Sequence, residues 1–133
     1  MNIEPTPAQL EAFLGASGTE PLFMLNLLRF KDTADGPLAA ENISGAEAYG
    51  RYAAAVAPHL ARVGGQVHRA GACSPALIGP EAGEWDLVAI ARYPTRQAFF
   101  DMISEPSYLE TAALRSAALS DSRLIPCGEL LTN

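Results

Sequence analysis

The stretch Pro21–Phe30, PLFMLNLLRF, decides the fold, because seven of its ten residues are large and apolar. Side chains alternate between the two faces of a strand, so both faces of this strand are apolar. A strand of this kind is buried on both sides. Only Asn26 and Arg29 interrupt the pattern, and their odd spacing sends them to opposite faces. A buried amide or guanidinium needs polar partners, so both are candidate site residues.

Composition and charge bound the class of protein. The chain has 133 residues, which is the size of one domain. A hydrophobic content of 49% with 18% charged residues excludes a disordered chain. The net charge of −6 argues against binding to nucleic acid or to an anionic membrane. The first residues, MNIEPTPAQ, show neither the basic nor the apolar region of a secretory signal, so we expect a cytoplasmic protein.

The potential metal ligands are few and scattered. Cys73, Cys127, His59 and His68 show no spacing that is typical of a metal site. We expect inert thiols, and histidines that lie at the surface or are hydrogen bonded. The sequence contains no phosphate-binding glycine loop, no dinucleotide fingerprint and no context for a haem ligand. We therefore expect no metal and no cofactor.

Helix signals mark the first half of the chain. Thr6 opens a capping box for a short N-terminal helix. Ser44 caps a longer helix that runs to about residue 63 and has an apolar stripe at helical spacing. Because Pro58 lies inside this stripe, the sequence predicts a kink or a break there. Residues 31–43, before this helix, form a long polar connection of the kind that often acts as a lid.

Strand signals dominate the second half. Residues 66–73 form a weaker strand, and Trp85–Tyr93, WDLVAIARY, is the second strongly apolar one. The helix that follows is broken or restarted at Pro106. Residues 123–131 form the last strand, in which Pro126 indicates an edge position.

These elements predict a ferredoxin-like fold of the α+β class. After an N-terminal extension (residues 1–20), the core (residues 21–131) has the order β-α-β-β-α-β, which gives a four-stranded antiparallel sheet with both long helices on one face. The first and third strands lie in the middle, and they are the most apolar. The N-terminal helix is too small to cover the other face. We therefore predict a single domain (residues 1–133) that forms a homodimer through this face, with a two-fold axis.

The candidate catalytic residues are Asn26 and Asp86, which the topology puts on neighbouring central strands. The Asn26 amide is suited to donating to an oxyanion, and a partly buried Asp86 carboxylate is suited to acting as a base. Alternatively, Asn26 satisfies a neighbouring loop, and Asp86 pairs with Arg29 or Arg92.

Two arginines and four tyrosines are candidate ligand-binding residues: Arg29, Arg92, Tyr49, Tyr52, Tyr93 and Tyr108. The tyrosine hydroxyls can line a pocket, although aromatic residues at helical spacing are commonly part of a core. Arg115, late in the second helical segment, is expected to be solvated or to cap the helix.

Several motifs together resemble the family known as domain of unknown function 1330. They are Met24–Lys31 (MLNLLRFK), Tyr49 with Tyr52, Gly64-Gly65, Trp85-Asp86, and Tyr93-Pro94 with Phe99 and Met102. The resemblance runs from about residue 21 to residue 125. It implies a fold of the dimeric α+β barrel group, which includes cofactor-independent monooxygenases, muconolactone isomerases and haem proteins similar to chlorite dismutase. The family itself carries no established reaction.

Two functional hypotheses follow. The first is a cytoplasmic homodimer with a small-molecule cleft between sheet and helices, gated by residues 31–43. Its chemistry would be cofactor-free, of oxygenase or isomerase type, with Asp86 abstracting a proton and Asn26 holding the charge. The alternative is a ligand-binding or stress-response module without catalysis. The sequence leaves open whether the chain is an enzyme.

Overall fold

The structure, a computed structural model, describes residues 2–16 and 20–129. In chain order its elements are α1 (Pro7–Gly15), β1 (Leu22–Phe30), a 3-10 helix (Gly36–Glu41), α2 (Gly45–Arg62), β2 (Gln66–Ala72), β3 (Leu87–Tyr93), α3 (Arg96–Ser104), α4 (Pro106–Ala118) and β4 (Leu119–Cys127). This is the predicted order, with the second crossover helix divided into α3 and α4 at Pro106.

The four strands form one antiparallel sheet in the order β2-β3-β1-β4. The two most apolar strands, β1 and β3, lie in the middle of the sheet. The strand that contains Pro126, β4, lies at an edge. The predicted α+β, ferredoxin-like fold is therefore confirmed.

Helices α2, α3 and α4 cover one face of the sheet, the helix face, through two groups of buried side chains. The tyrosine cluster consists of Leu22, Met24, Tyr52, Val56, Leu60, Tyr93, Met102 and Tyr108. The alanine cluster consists of Leu28, Ala34, Leu38, Ala48, Ala117, Ala118 and Leu119. Burying one large apolar side chain contributes about 1.5–3 kcal/mol, so both clusters stabilise the packing of the helices on the sheet.

The opposite face of the sheet, the open face, contributes no side chain to either cluster. On β1 this face carries Phe23, Leu25 and Leu27. The residues that pair with Leu25 on the neighbouring strands are Ile90 and Ile125. The open face is therefore apolar at its centre.

Helix α1 packs on the helix side of the molecule. The ring of Phe13 meets that of Phe99 edge-on, with centres 5.5 Å apart, and Arg96 Nη1 donates to the Phe13 carbonyl at 3.0 Å. Its predicted capping box is confirmed, since Thr6 and Gln9 exchange backbone-to-side-chain hydrogen bonds. Helix α1 thus leaves the open face uncovered.

The structure corrects two predictions about where elements break or end. The predicted break in α2 is wrong, because the helix is continuous through Pro58. Proline removes one hydrogen bond, while the buried Val56 and Leu60 anchor the helix on both sides of it. A kink at Pro58, the other alternative, stays a prediction. Strand β4 begins at Leu119, where a bulge lets it pair with Phe30, and it ends at Cys127. Residues 130 and 131, which were predicted to end this strand, lie outside the described residues.

The connection at residues 31–43 is part of the packed structure. The Ala34 N–H donates to the Ile43 carbonyl at 2.9 Å, and the Asp35 N–H donates to the Ala117 carbonyl at 3.2 Å. The side chains of Ala34 and Leu38 are buried in the alanine cluster. The segment is thus anchored by its backbone and its side chains, and its action as a gate stays a prediction.

Candidate functional site

A row of four residues crosses the middle of the helix face, one from each strand. This central row consists of Ala70, Ala89, Asn26 and Leu124, which pair in register across the sheet. Asn26 and Ala89 are half-buried, and Leu124 is 39% exposed. The residues that flank Asn26 on the same face of β1 are buried, with Met24 3% and Leu28 0% exposed.

The central row coincides with the boundary between the two clusters. Met24 belongs to the tyrosine cluster and Leu28 to the alanine cluster. Tyr49 and Leu114, from α2 and α4, are half-buried and pack against both clusters. We use the name central gap for the part of the helix face between the two clusters, at the central row, where Tyr49 and Leu114 pack against both clusters.

Asn26 is held rigidly at the floor of this gap. Its Nδ2 donates to the carbonyls of Met24 and Ala89, each at 3.2 Å. Both donors of the amide group are therefore used, and among the described residues no donor bonds to Oδ1. The side chain presents an acceptor, rather than the donors that a bound oxyanion would need.

The four predicted tyrosines lie together on the helix face. The rings of Tyr49 and Tyr52 are 5.3 Å apart, and the hydroxyls of Tyr52 and Tyr108 are 3.1 Å apart. Tyr93 belongs to the same cluster. Burial raises the pKa of Tyr49, Tyr52 and Tyr93 above the usual range of a phenol. These hydroxyls are therefore neutral at physiological pH.

Asp86 is not brought to Asn26. Its exposed carboxylate accepts the N–H of Phe30 at 2.8 Å, beyond the paired part of β3. Ala89, the partner of Asn26, is three positions after Asp86, a distance of about 10 Å along a strand. The predicted pairing of Asp86 with Arg29 or Arg92 is also absent from the described residues.

Arg29 and Arg92 lie on the open face, on the other side of the sheet from the central gap. Arg92 pairs with Phe23. Arg29 Nε donates to the Glu84 carbonyl at 2.8 Å, and its guanidinium lies 5.6 Å from the centre of the Trp85 ring. The predicted ligand-binding residues are thus divided between two faces.

Of two polar residues in the helical layer, His59 agrees with its prediction in being hydrogen bonded, and Arg115 differs from its prediction. His59 is buried, with Nε2 3.1 Å from Thr111 Oγ1, and its Nδ1 has no partner in the described part of the chain. Arg115 is half-buried and donates from Nη1 to the Ile3 carbonyl at 2.9 Å. The helical spacing of Arg115 with Tyr108 was a signal that it faces inward.

Two adjacent surface grooves, of about 490 and 480 Å³, lie where the N-terminal segment meets α4. Both grooves are open to solvent and share Glu4, Lys31 and Ser116. The ammonium group of Lys31 is already bound by Asp35 and by the Ser116 carbonyl. A small molecule in either groove would stay largely in water, so we place the candidate site at the central gap.

Two other classes of site were sought in the described residues. No cluster of three or more His, Cys, Asp or Glu side chains has an arrangement that would hold a metal ion there. No helix among these residues combines the length and the hydropathy needed to cross a membrane.

Comparison with known proteins gives a family and a fold. The family model described as domain of unknown function (DUF1330) matches residues 38–126, more than half of the chain. The match begins after β1, so the MLNLLRFK motif lies outside it. No curated protein matches the chain significantly.

Solved structures extend the similarity over nearly the whole chain. The crystal structure of RPA0582, a protein of unknown function from Rhodopseudomonas palustris, is 39% identical, covers 98% of each chain and has a TM-score of 0.89. Its methylated form has the same identity and TM-score. The crystal structure of At3g17210 from Arabidopsis thaliana is 18% identical, covers 85% of this chain and 99% of that one, and has a TM-score of 0.59.

Proposed function

We propose that this chain, which belongs to the family described as domain of unknown function (DUF1330), binds a small organic molecule in the central gap. The family description names no activity, so the proposal depends on the geometry of the chain itself. The observation that carries this proposal is that Asn26 is only partly buried, although it lies in the middle of a helix-covered central strand. A side chain at such a position is ordinarily buried. Its exposure therefore indicates room for a ligand above it.

The lining of the gap supports this kind of ligand. Ala89 and Leu124 supply an apolar floor, and the half-buried ring of Tyr49 supplies an aromatic contact. Asn26 Oδ1 adds one fixed hydrogen-bond acceptor. Small-molecule sites are mostly apolar with a few placed polar groups of this kind.

We further propose that the chain acts as a cytoplasmic homodimer. The apolar centre of the open face, formed by Leu25, Ile90 and Ile125, lies between Arg29 and Arg92. Charged residues at the edge of an apolar patch are typical of a protein interface. The two cysteines of the described residues are free thiols, as is usual in a reducing compartment.

Catalysis by Asp86 is not part of this proposal, because its carboxylate is exposed and binds the N–H of Phe30 away from the gap. A second candidate function is a module that binds no small molecule. The observation that favours it is that the polar side chains of Asn26 and Asp86 both bond to the backbone, as purely structural residues do.

A thermal-shift screen tests the proposal and separates the two candidates. A panel of aromatic acids, aromatic amides and lactones is screened against the natural chain, Ala89→Val and the control Ala72→Val. We expect at least one compound to raise the Tm of the natural chain and of Ala72→Val, because a ligand at a hundred times its Kd stabilises the folded state by about 2.7 kcal/mol. Ala89→Val fills the floor of the gap and should not respond. A panel without effect, or an equal response of Ala89→Val, would contradict the proposal.

A further inference from the structure

Arg115 extends the polar face that α4 presents to α2. Tyr108, Thr111 and Arg115 follow one another at helical spacing, and the first two bond to side chains of α2. Leu114, the residue before Arg115, packs against both clusters beside the central gap. Burial raises the pKa of the Tyr49 and Tyr52 hydroxyls, and the charge of Arg115 lowers it by a smaller amount.

The guanidinium of Arg115 has N–H groups that form no hydrogen bond to the described residues. It is half-buried, and one of its N–H groups donates to the Ile3 carbonyl. A guanidinium has five N–H donors, and within residues 2–16 and 20–129 Arg115 forms no ion pair with a carboxylate. The negative end of α4 offsets part of its charge, because Arg115 lies in the last turn. A partly buried cation without a counter-charge favours the binding of an anion.

We propose that Arg115 binds the carboxylate of a small organic acid whose apolar body occupies the central gap. This inference rests on the proposed function and names its ligand class. Guanidinium and carboxylate form paired hydrogen bonds of matched geometry. The neutral tyrosines and Ala89 provide no competing negative charge, and they contact the apolar body. Asn26 Oδ1 accepts from a hydroxyl or N–H group of the acid, where it has one.

The experiment compares phenylacetate with its neutral isostere phenylacetamide by thermal shift and calorimetry. For the natural chain we expect the Kd of phenylacetate to be at least about tenfold lower than that of the amide, or about 1.4 kcal/mol. Arg115→Gln retains a donor for the Ile3 carbonyl but loses the charge, so the two Kd values should become equal. Arg115→Lys should keep a preference for the acid. Arg51→Gln removes the same charge from an exposed position on α2 and should leave the preference unchanged.

The outcomes distinguish this inference from the proposed function. If both compounds bind the natural chain equally, or if Arg115→Gln keeps the preference, Arg115 is not the anion-binding residue, while ligand binding in the gap stands. If Arg115→Gln lowers the Tm of the chain but leaves the Kd values of both compounds unchanged, the role of Arg115 is limited to packing and the inference is wrong. If neither compound binds, both proposals fail. If Arg115→Gln does not fold, the natural chain is tested instead with added NaCl. The salt should weaken the binding of phenylacetate and leave the binding of phenylacetamide unchanged.

Discussion

The backbone N–H of Gly45 donates to the Lys31 carbonyl at 3.0 Å, and a Cβ at Gly45 would lie only 2.2 Å from the same oxygen. The first turn of α2 is thus packed directly against the backbone at the end of β1. Only glycine allows this approach, because any side chain would displace one of the two backbones.

Gly45→Ala should therefore lower the free energy of unfolding by about 1–3 kcal/mol, the usual range for an overpacked site. Gly50→Ala in the same helix is the control. No atom lies within 4 Å of a Cβ placed there, so it should raise stability by about 0.5–1 kcal/mol. Urea denaturation measures both, and equal effects of the two variants would refute the close approach.

Asn26 should prove important for stability as well as for binding. Asn26→Ala removes the two hydrogen bonds to the Met24 and Ala89 carbonyls, which should reduce the free energy of unfolding by about 1 kcal/mol. Asn26→Asp should reduce it further at pH 7, because a carboxylate would then face those two carbonyl oxygens. If Asn26→Asp is as stable as the natural chain at pH 7 in urea denaturation, the observed amide orientation is incorrect.

Asp86 should stabilise the sheet and take no part in binding a ligand. Asp86→Asn keeps an oxygen that can accept the Phe30 N–H, so its stability should change by less than about 0.5 kcal/mol. Asp86→Ala loses the acceptor and should lose about 1 kcal/mol. The thermal shift that a ligand induces should be the same in both variants as in the natural chain. Loss of binding in Asp86→Asn would show that this carboxylate takes part in the site.

The open face should hold two copies of the chain together. Analytical ultracentrifugation at micromolar concentration should show a dimer for the natural chain. Ile125 is 43% exposed on this face, and Ile125→Asp should weaken association by at least about 100-fold, or 2.8 kcal/mol, because two-fold symmetry places the unpaired charge in the interface twice. Leu109→Asp, at a 66% exposed position on α4, is the control that should remain dimeric. A monomeric natural chain would contradict the predicted assembly.

Acid should loosen the attachment of the N-terminal segment. The pKa of the Asp121 carboxyl lies well below its usual range, because the carboxylate accepts hydrogen bonds from the backbone N–H groups of Asn2 and Ser122 and from the Arg123 guanidinium. Since the folded-state pKa is lower than the unfolded one, this contact stabilises the folded chain above about pH 4. Its contribution is lost as the pH falls through the folded-state value.

Asp121→Asn should accordingly be less stable than the natural chain at pH 7 and should show a shallower loss of stability between pH 4.5 and pH 2. Urea midpoints across this range provide the measurement. Asp32→Asn, at an exposed position, should retain the pH profile of the natural chain. Parallel profiles for the natural chain and Asp121→Asn would show that the contact does not exist in solution.

Local patterns in the amino-acid sequence are enough to predict the fold of this protein. The two-sided apolar pattern of β1 requires a buried central strand, and the caps at Thr6 and Ser44 fix where two helices begin. These signals are local, because they depend on alternation along a strand and on hydrogen bonds within one turn. The predicted break at Pro58 is wrong for the same reason, since the effect of a proline on its helix depends on packing from outside the local segment.

Local patterns do not predict which polar residues meet, because those contacts depend on tertiary packing. Asn26, Asp86 and Arg29 are close in the sheet topology, yet strand alternation and register send them to the gap, to a strand end and to the open face. The hydroxyls of Tyr52 and Tyr108 come within 3.1 Å of each other although the two residues are 56 positions apart in the sequence. Such contacts depend on how helices rotate over the sheet to bury the most apolar surface, and that rotation is set by all the packed side chains together.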